Sequence, residues 1–154
     1  MMQPPRRVVA ATGADGKSRV VLDGPAEVTP LGTMGVANLW CAPCPPVDNA
    51  APTGDHLGGF RFEQLAEPVC AMMLAEYAPG LGRDDPGMHF TDTADHFHVI
   101  AGEVVLVLED GEVTLRAGDS GIVRGAVHGW RNDGAETARL VTFVLPATPL
   151  DRGG

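Results

Sequence analysis

The amino-acid sequence predicts an all-β domain, and three observations carry that prediction. Twenty Gly and thirteen Pro in 154 residues mark many turns, which favours short strands over helices. Between Met88 and Asn132, short β-type runs alternate with glycine turns. No segment joins a 3.6-residue apolar period to helix caps. A chain of this length makes one ordinary domain with a single core, and 44% hydrophobic residues make it globular rather than disordered.

Taken in order, Met1 to Pro5 reads as a loose tail. Arg7 to Thr12 and Arg19 to Leu22 are β-type runs around Gly13-Ala14-Asp15-Gly16, a turn of the Gly/Asp kind, and together predict a leading hairpin. Met34 to Trp40 is a third apolar run, and the proline-rich Cys41 to Pro52 reads as loop. Gly59 to Glu63 and Val69 to Tyr77 read as strands, the second more apolar and so more central. Pro79 to Gly87 is a turn-dense connection that delivers the chain to His89. Residues 103–109 and 112–116 form a hairpin around Asp110-Gly111, a pair that accommodates the positive φ of a tight turn. Asp133-Gly134 then leads to a last strand, Ala138 to Leu145.

The net charge of −9 argues against nucleic acid or an anionic membrane as partner, since phosphate binding depends on clustered Lys and Arg. No apolar run approaches the ~20 residues that span a bilayer. MMQPPRR has charge but no following apolar core, so a secretory leader is not expected. Three cysteines cannot all pair within one chain, which points to a reducing cytoplasm. Cys41-x2-Cys44 has no second pair to complete a structural zinc site, and Pro45-Pro46 opposes the helix of a redox dithiol. These are read as loop thiols, and His56 as an exposed loop residue.

Four of the five histidines lie in two motifs: His89-x-Thr91-x3-Asp95-x6-Gly102, and Gly118-x6-Gly125-x2-His128-x3-Asn132. Around them stand Arg6-Arg7-Val8-Val9, Ala14-Asp15-Gly16-Lys17, Leu39-Trp40, Gly102-Glu103, Gly118-Asp119 and Trp130. This pattern resembles the cupin superfamily, and within it a branch of small single-domain bacterial and fungal members. The resemblance covers nearly the whole chain. It implies a double-stranded β-helix, the jelly-roll or cupin barrel, of six to ten strands with one ligand cavity in its mouth. It also implies that the leading hairpin covers the barrel or supports a homodimer contact. The expected single domain, 1–154, divides into N-terminal strands and loops at 1–66, a barrel core at 67–146 and a tail at 147–154.

Two registers compete for the first motif, because His96-x-His98-x4-Glu103 also fits the family spacing. That register would place its terminal glycine at Gly111, too close to Gly118 for two strands and a turn. The His89 register gives Gly102 as the first turn and leaves room for the hairpin. Alternation along strands then puts His89 and Thr91 on one face and Asp95 and Phe97 on the next strand's inner face, with His96 and His98 outward. The second motif brings His128 to the same cavity, with Trp130 on its face.

The expected catalytic residues are therefore His89, Asp95 and His128, with Thr91, Phe97, Trp130 and Arg124 expected to bind substrate, Arg124 by holding a carboxylate where it points inward, the outward snorkelling orientation being the default for Arg. Compared with the family set of three His and one Glu, Thr91 replaces a His and Asp95 the Glu. His89, Asp95 and His128 still make the two imidazoles and one carboxylate of a facial-triad Fe(II) site. One divalent metal ion (Fe, Zn, Mn or Ni) and a metal-free acid–base site both stand open. The expected function is an enzyme, a dehydratase, isomerase or decarboxylase of a small organic biosynthetic or catabolic intermediate. The alternatives are a non-catalytic small-molecule-binding module and an Fe(II) oxygenase.

Overall fold

The computed structural model describes residues 2–12, 17–43 and 58–151. The Gly13–Gly16 turn, Cys44 and His56 lie outside the described residues. The strands are β1 (Arg6–Thr12), β2 (Ser18–Pro25), β3 (Val28–Leu31), β4 (Met34–Pro43), β5 (Val69–Tyr77), β6 (Thr93–Ala101), β7 (Glu103–Leu108), β8 (Gly111–Arg116), β9 (Ser120–Arg124), β10 (His128–Arg131) and β11 (Ala138–Pro146). A 3-10 turn covers Phe62–Ala66, and no helix among the described residues is long and apolar enough to cross a membrane.

β1 and β2 pair as the separate leading hairpin, while the barrel consists of a three-stranded sheet, β10-β7-β8, and a six-stranded sheet, β3-β4-β5-β11-β6-β9. Every pairing is antiparallel. The two sheets close a jelly roll over one apolar core. Val104, Leu106 and Leu115 from the smaller sheet meet Val36, Ala75, Phe97, Val99 and Leu140 from the larger. Along β6 the faces alternate as expected: Phe97 and Val99 are buried, and His98 and Ile100 are exposed.

Several expectations are corrected. The β7–β8 turn is centred one residue earlier, on Glu109-Asp110, because Leu108 pairs with Gly111. Gly111 alone takes positive φ, at +101°, so no non-glycine residue has to adopt it. Gly59 to Glu63 is not a strand. Arg61 instead opens the 3-10 turn, where its N–H donates to Gln64 Oε1 and its carbonyl accepts from Gln64 N–H. Gln64 also exchanges two 3.0 Å hydrogen bonds with Asn38, an interior amide pair that anchors the turn to β4. Cys41 to Pro43 continue β4 rather than joining a loop, since Cys41 and Ala42 are buried against β5. The sheet also reaches back through β4 to Val28, upstream of the barrel boundary expected at residue 67.

Candidate active site

The two imidazoles meet because their backbones do. His89 and His128 form an isolated antiparallel bridge, in which His89 N–H donates to His128 O at 2.9 Å and His128 N–H to His89 O at 2.8 Å. Residues directly opposite across such a pair project to the same side. Their rings accordingly lie 4.6 Å apart, centroid to centroid, inclined at 45°. The approach needs a glycine: a Cβ on Gly129 would fall 2.5 Å from Pro86 O and 3.0 Å from Met88 Sδ. Each ring is also oriented by its own chain. Nδ1 of His89 lies 2.8 Å from Gly87 O, and Nδ1 of His128 lies 3.0 Å from Ala126 O. A carbonyl only accepts, so each Nδ1 carries a hydrogen, and in the neutral ring that leaves the Nε2 lone pair free.

His128 is buried, with 4% exposure, while His89 is exposed at the rim. Burial holds the His128 pKa below the ordinary imidazole value. The hydrogen bond to Ala126 opposes that shift, the His89 charge adds to it and the Asp95 charge opposes it. Asp95 moves the other way. Burial pushes its carboxyl up, against the lowering effects of the Thr93 hydrogen bond and of the His128, His89 and His96 charges. The buried Thr93 Oγ1 donates to Asp95 Oδ1 at 2.7 Å and lies 2.6 Å from Thr91 Oγ1. Having spent its one proton on Asp95, Thr93 must accept from Thr91, so the hydroxyls donate in one direction, toward the carboxylate.

His89, His128 and Asp95 face a cavity of about 110 Å³, walled by Phe97, Tyr77, Trp130, Met73 and Phe60 among others. Trp130 stands edge-on to Phe97 at 5.2 Å and to His128 at 6.1 Å. Burial, with a smaller contribution from the Asp95 charge, raises the Tyr77 pKa, so its phenol stays protonated. Below the cavity, the fully buried Asn132 donates to Tyr77 O at 2.8 Å and Glu136 O at 2.9 Å, tying β10 to β5 and to the segment before β11.

The cavity thus brings together His89, Asp95, Phe97, His128 and Trp130. Two expected residues do not line it. Arg124 is exposed on the outer side of β9, because Val123, one position earlier, takes the inward place opposite Asp95. Thr91 precedes β6 and lines a neighbouring groove, reaching Asp95 only through Thr93. His96 and His98 lie on the outer face, where His98 Nδ1 is 2.8 Å from Ser120 Oγ. Among the described residues no three His, Cys, Asp or Glu side chains stand close enough to form a metal cluster, although His89, Asp95 and His128 line one cavity. Asp95 is a methylene shorter than the family's Glu, and its Oδ1 is engaged by Thr93.

Thr93 and Tyr77 are site residues that motif matching overlooks. Both were accessible from strand parity, Thr93 two positions before Asp95 and Tyr77 two after Ala75. Phe60, Phe62 and Leu65 carry no such signal, since they reach the cavity from a coil and a 3-10 turn.

Residues 73–144 match the family described as Cupin domain. Phomopsin biosynthesis cluster protein C' of Diaporthe leptostromiformis is 41% identical over 70 residues, covering 44% of this chain and 36% of that protein. The cupin-domain-containing oxidoreductase srdB of Neurospora crassa is 40% identical over 84 residues, covering 53% of this chain and 41% of that one. The chain therefore spans well under half the length of these curated relatives. Among solved structures, the Schizosaccharomyces pombe Cnp3 cupin domain superposes with a TM-score of 0.57 at 12% identity, over 94% of this chain and 89% of that one, a likeness of fold. The two-sheet barrel therefore carries a cupin domain over residues 73–144.

Proposed function

We propose that the chain binds a small organic molecule in the barrel cavity and catalyses proton transfer on it, as an isomerase, dehydratase or decarboxylase does. The observation that supports this reading is the imidazole pair 4.6 Å apart, each Nδ1 fixed by a backbone carbonyl and each Nε2 left with its lone pair. His128, kept neutral by burial, acts as base through Nε2. Asp95, whose carboxyl is harder to ionise, gives the substrate a proton from its protonated form, and His89 at the rim passes the proton held on His128 to solvent, from which Asp95 is reprotonated. Because burial lowers one pKa and raises the other, the two groups approach each other in proton affinity, which suits reversible transfer through a bound substrate. Phe97 and Trp130 supply the apolar walls that orient it.

Deuterium exchange from solvent into the C–H positions of short α-hydroxyketones, followed by proton NMR, tests this reading. The wild type is expected to exchange them and His128→Ala to do so more slowly by about 100-fold or more. Equal rates in the wild type, His128→Ala and Asp95→Asn would remove the catalytic reading and leave a binding module.

The oxidoreductase description of the Neurospora relative favours a second reading, metal-assisted redox chemistry at the same imidazoles. Elemental analysis separates the two: stoichiometric Fe, Zn, Mn or Ni that is lost in His128→Ala supports it. For partners, we place a homodimer contact on the β1–β2 hairpin, whose Val8, Val20 and Val21 are exposed. A single monomer mass by light scattering would overturn that placement.

A further inference from the structure

The cavity at His128, about 110 Å³, falls below the roughly 300–1,000 Å³ of sites that enclose a drug-sized ligand. Beside it lies a second cavity of about 450 Å³ whose walls include Phe62, Leu65, Phe90, Pro146 and Pro149. Phe62 and Leu65 wall both spaces, so among the described residues the 3-10 turn that carries them lies between the two. The chain crosses from one to the other within three residues: His89 faces the inner cavity, and Phe90 and Thr91 face the outer. Phe62, edge-on to Phe60 at 5.1 Å, is 57% exposed, and Phe90 is 48% exposed. Polar contact is continuous as well, since Thr91 in the outer cavity leads through Thr93 to Asp95 in the inner one.

We infer that the two cavities form one bipartite site, in which a small hydroxyl-bearing head enters toward His128 and an apolar, preferably aromatic, tail of the same ligand lies between Phe62 and Phe90. The inference rests on the proposed inner site and names the substrate class it takes. The head carries a donor because Nε2 of His89 and of His128 present lone pairs to the inner cavity. The tail is apolar because apolar residues, three prolines and two phenylalanines among them, make up most of the outer walls, and it is neutral or cationic because Glu67 and Asp92 stand among them. The narrow inner cavity selects the head, and the wide outer one supplies most of the binding surface.

The test is an amide-shift NMR titration of the full chain with two probes, 2-butanol as head alone and 4-phenyl-2-butanol as head with tail. The longer alcohol should bind at least about tenfold more tightly, from the apolar area of its ring. Both probes should shift His128, and only the longer one Phe90 and Thr91. Phe90→Ala should abolish the tenfold gain while leaving 2-butanol binding unchanged. Equal affinity of the two probes with His128 still shifted, or a gain that survives Phe90→Ala, would overturn the bipartite site and leave the inner reading standing. No response of His128 to either probe would remove the inner reading and this inference with it. A dimer that Phe90→Glu dissociates would assign the outer cavity to a second copy of the chain, and would also overturn the inference.

Discussion

Thr93 is 3% exposed and its hydroxyl is spent on one acceptor, Asp95 Oδ1. Valine keeps its shape and removes that donor, so Thr93→Val should move the Asp95 carboxyl still further up, as burial acts with less opposition. Carbon-13 NMR titration of the Asp95 carboxyl reads that movement directly, and a midpoint unchanged or lowered would contradict it. Losing the bond should also cost about 1 kcal/mol or somewhat more, since an interior acceptor loses a partner. His128 contributes a pH dependence of definite sign. Its folded pKa lies below the ordinary 6.5, so below that pH the unfolded chain binds the extra proton. The stability carried by the neutral ring is therefore full above about 6.5 and is lost as pH falls toward the folded value. Asp95, raised from 3.8, has the opposite sign: its contribution is full below that value and is lost as pH rises through the folded pKa. The urea midpoint should thus fall between about pH 7 and 5 in the wild type, and less so in His128→Gln. Parallel profiles would refute the assignment. At this scale the two histidines, Asp95, Phe97 and Trp130 were legible, because motif spacing and strand parity agree there. Arg124 takes the outward side that is the default for Arg, and the inward one that a substrate contact needs is taken by Val123 on β9.

The strand β5 was legible to the residue, Val69–Tyr77, because a long apolar run sits between Pro68 and the turn-rich segment after it. Phe60 and Phe62 imitate strand alternation equally well, yet Gln64 captures the chain into a 3-10 turn through Asn38, a residue 26 positions away. No local pattern reports such a partner. β3 escaped for a related reason: Pro30 weakens a four-residue run that only its pairing with β4 makes a strand. The same non-local logic governs how His89 is delivered. The segment from Pro86 to His89 lies against β10 only because Gly129 leaves room for Pro86 O. Gly129→Ala should push that segment away, at a cost of about 1–3 kcal/mol, with neither imidazole altered. The expected signature is loss of the ring-to-ring nuclear Overhauser contacts between His89 and His128, together with a fall in proton-exchange activity. Retention of both would show that the bridge tolerates the extra methyl group.

At the scale of the molecule, the segment matching the cupin family begins at residue 73, inside β5, whereas the sheet that holds the site begins at Val28. β4 pairs with β5 from Met34↔Tyr77 to Pro43↔Val69, so without it a central apolar strand becomes an open edge. Val36 on β4 and Phe60 beyond it also wall the inner cavity, and Asn38 holds the turn that separates the inner cavity from the outer. The β1–β2 hairpin is different in kind, a separate two-stranded sheet whose pairing ends with itself. These facts predict two fragments with opposite fates. Residues 73–144 alone should lack a cooperative urea transition, because β6 and β11 would pack against a half-covered sheet with the core open on one side. Residues 26–151 should keep that transition and the His89–His128 ring contact, having lost only the hairpin, Met2 and the surface they cover. Circular dichroism and histidine NMR on both fragments decide the matter, and a cooperatively folding 73–144 fragment would mean that β4 decorates the barrel instead of completing it.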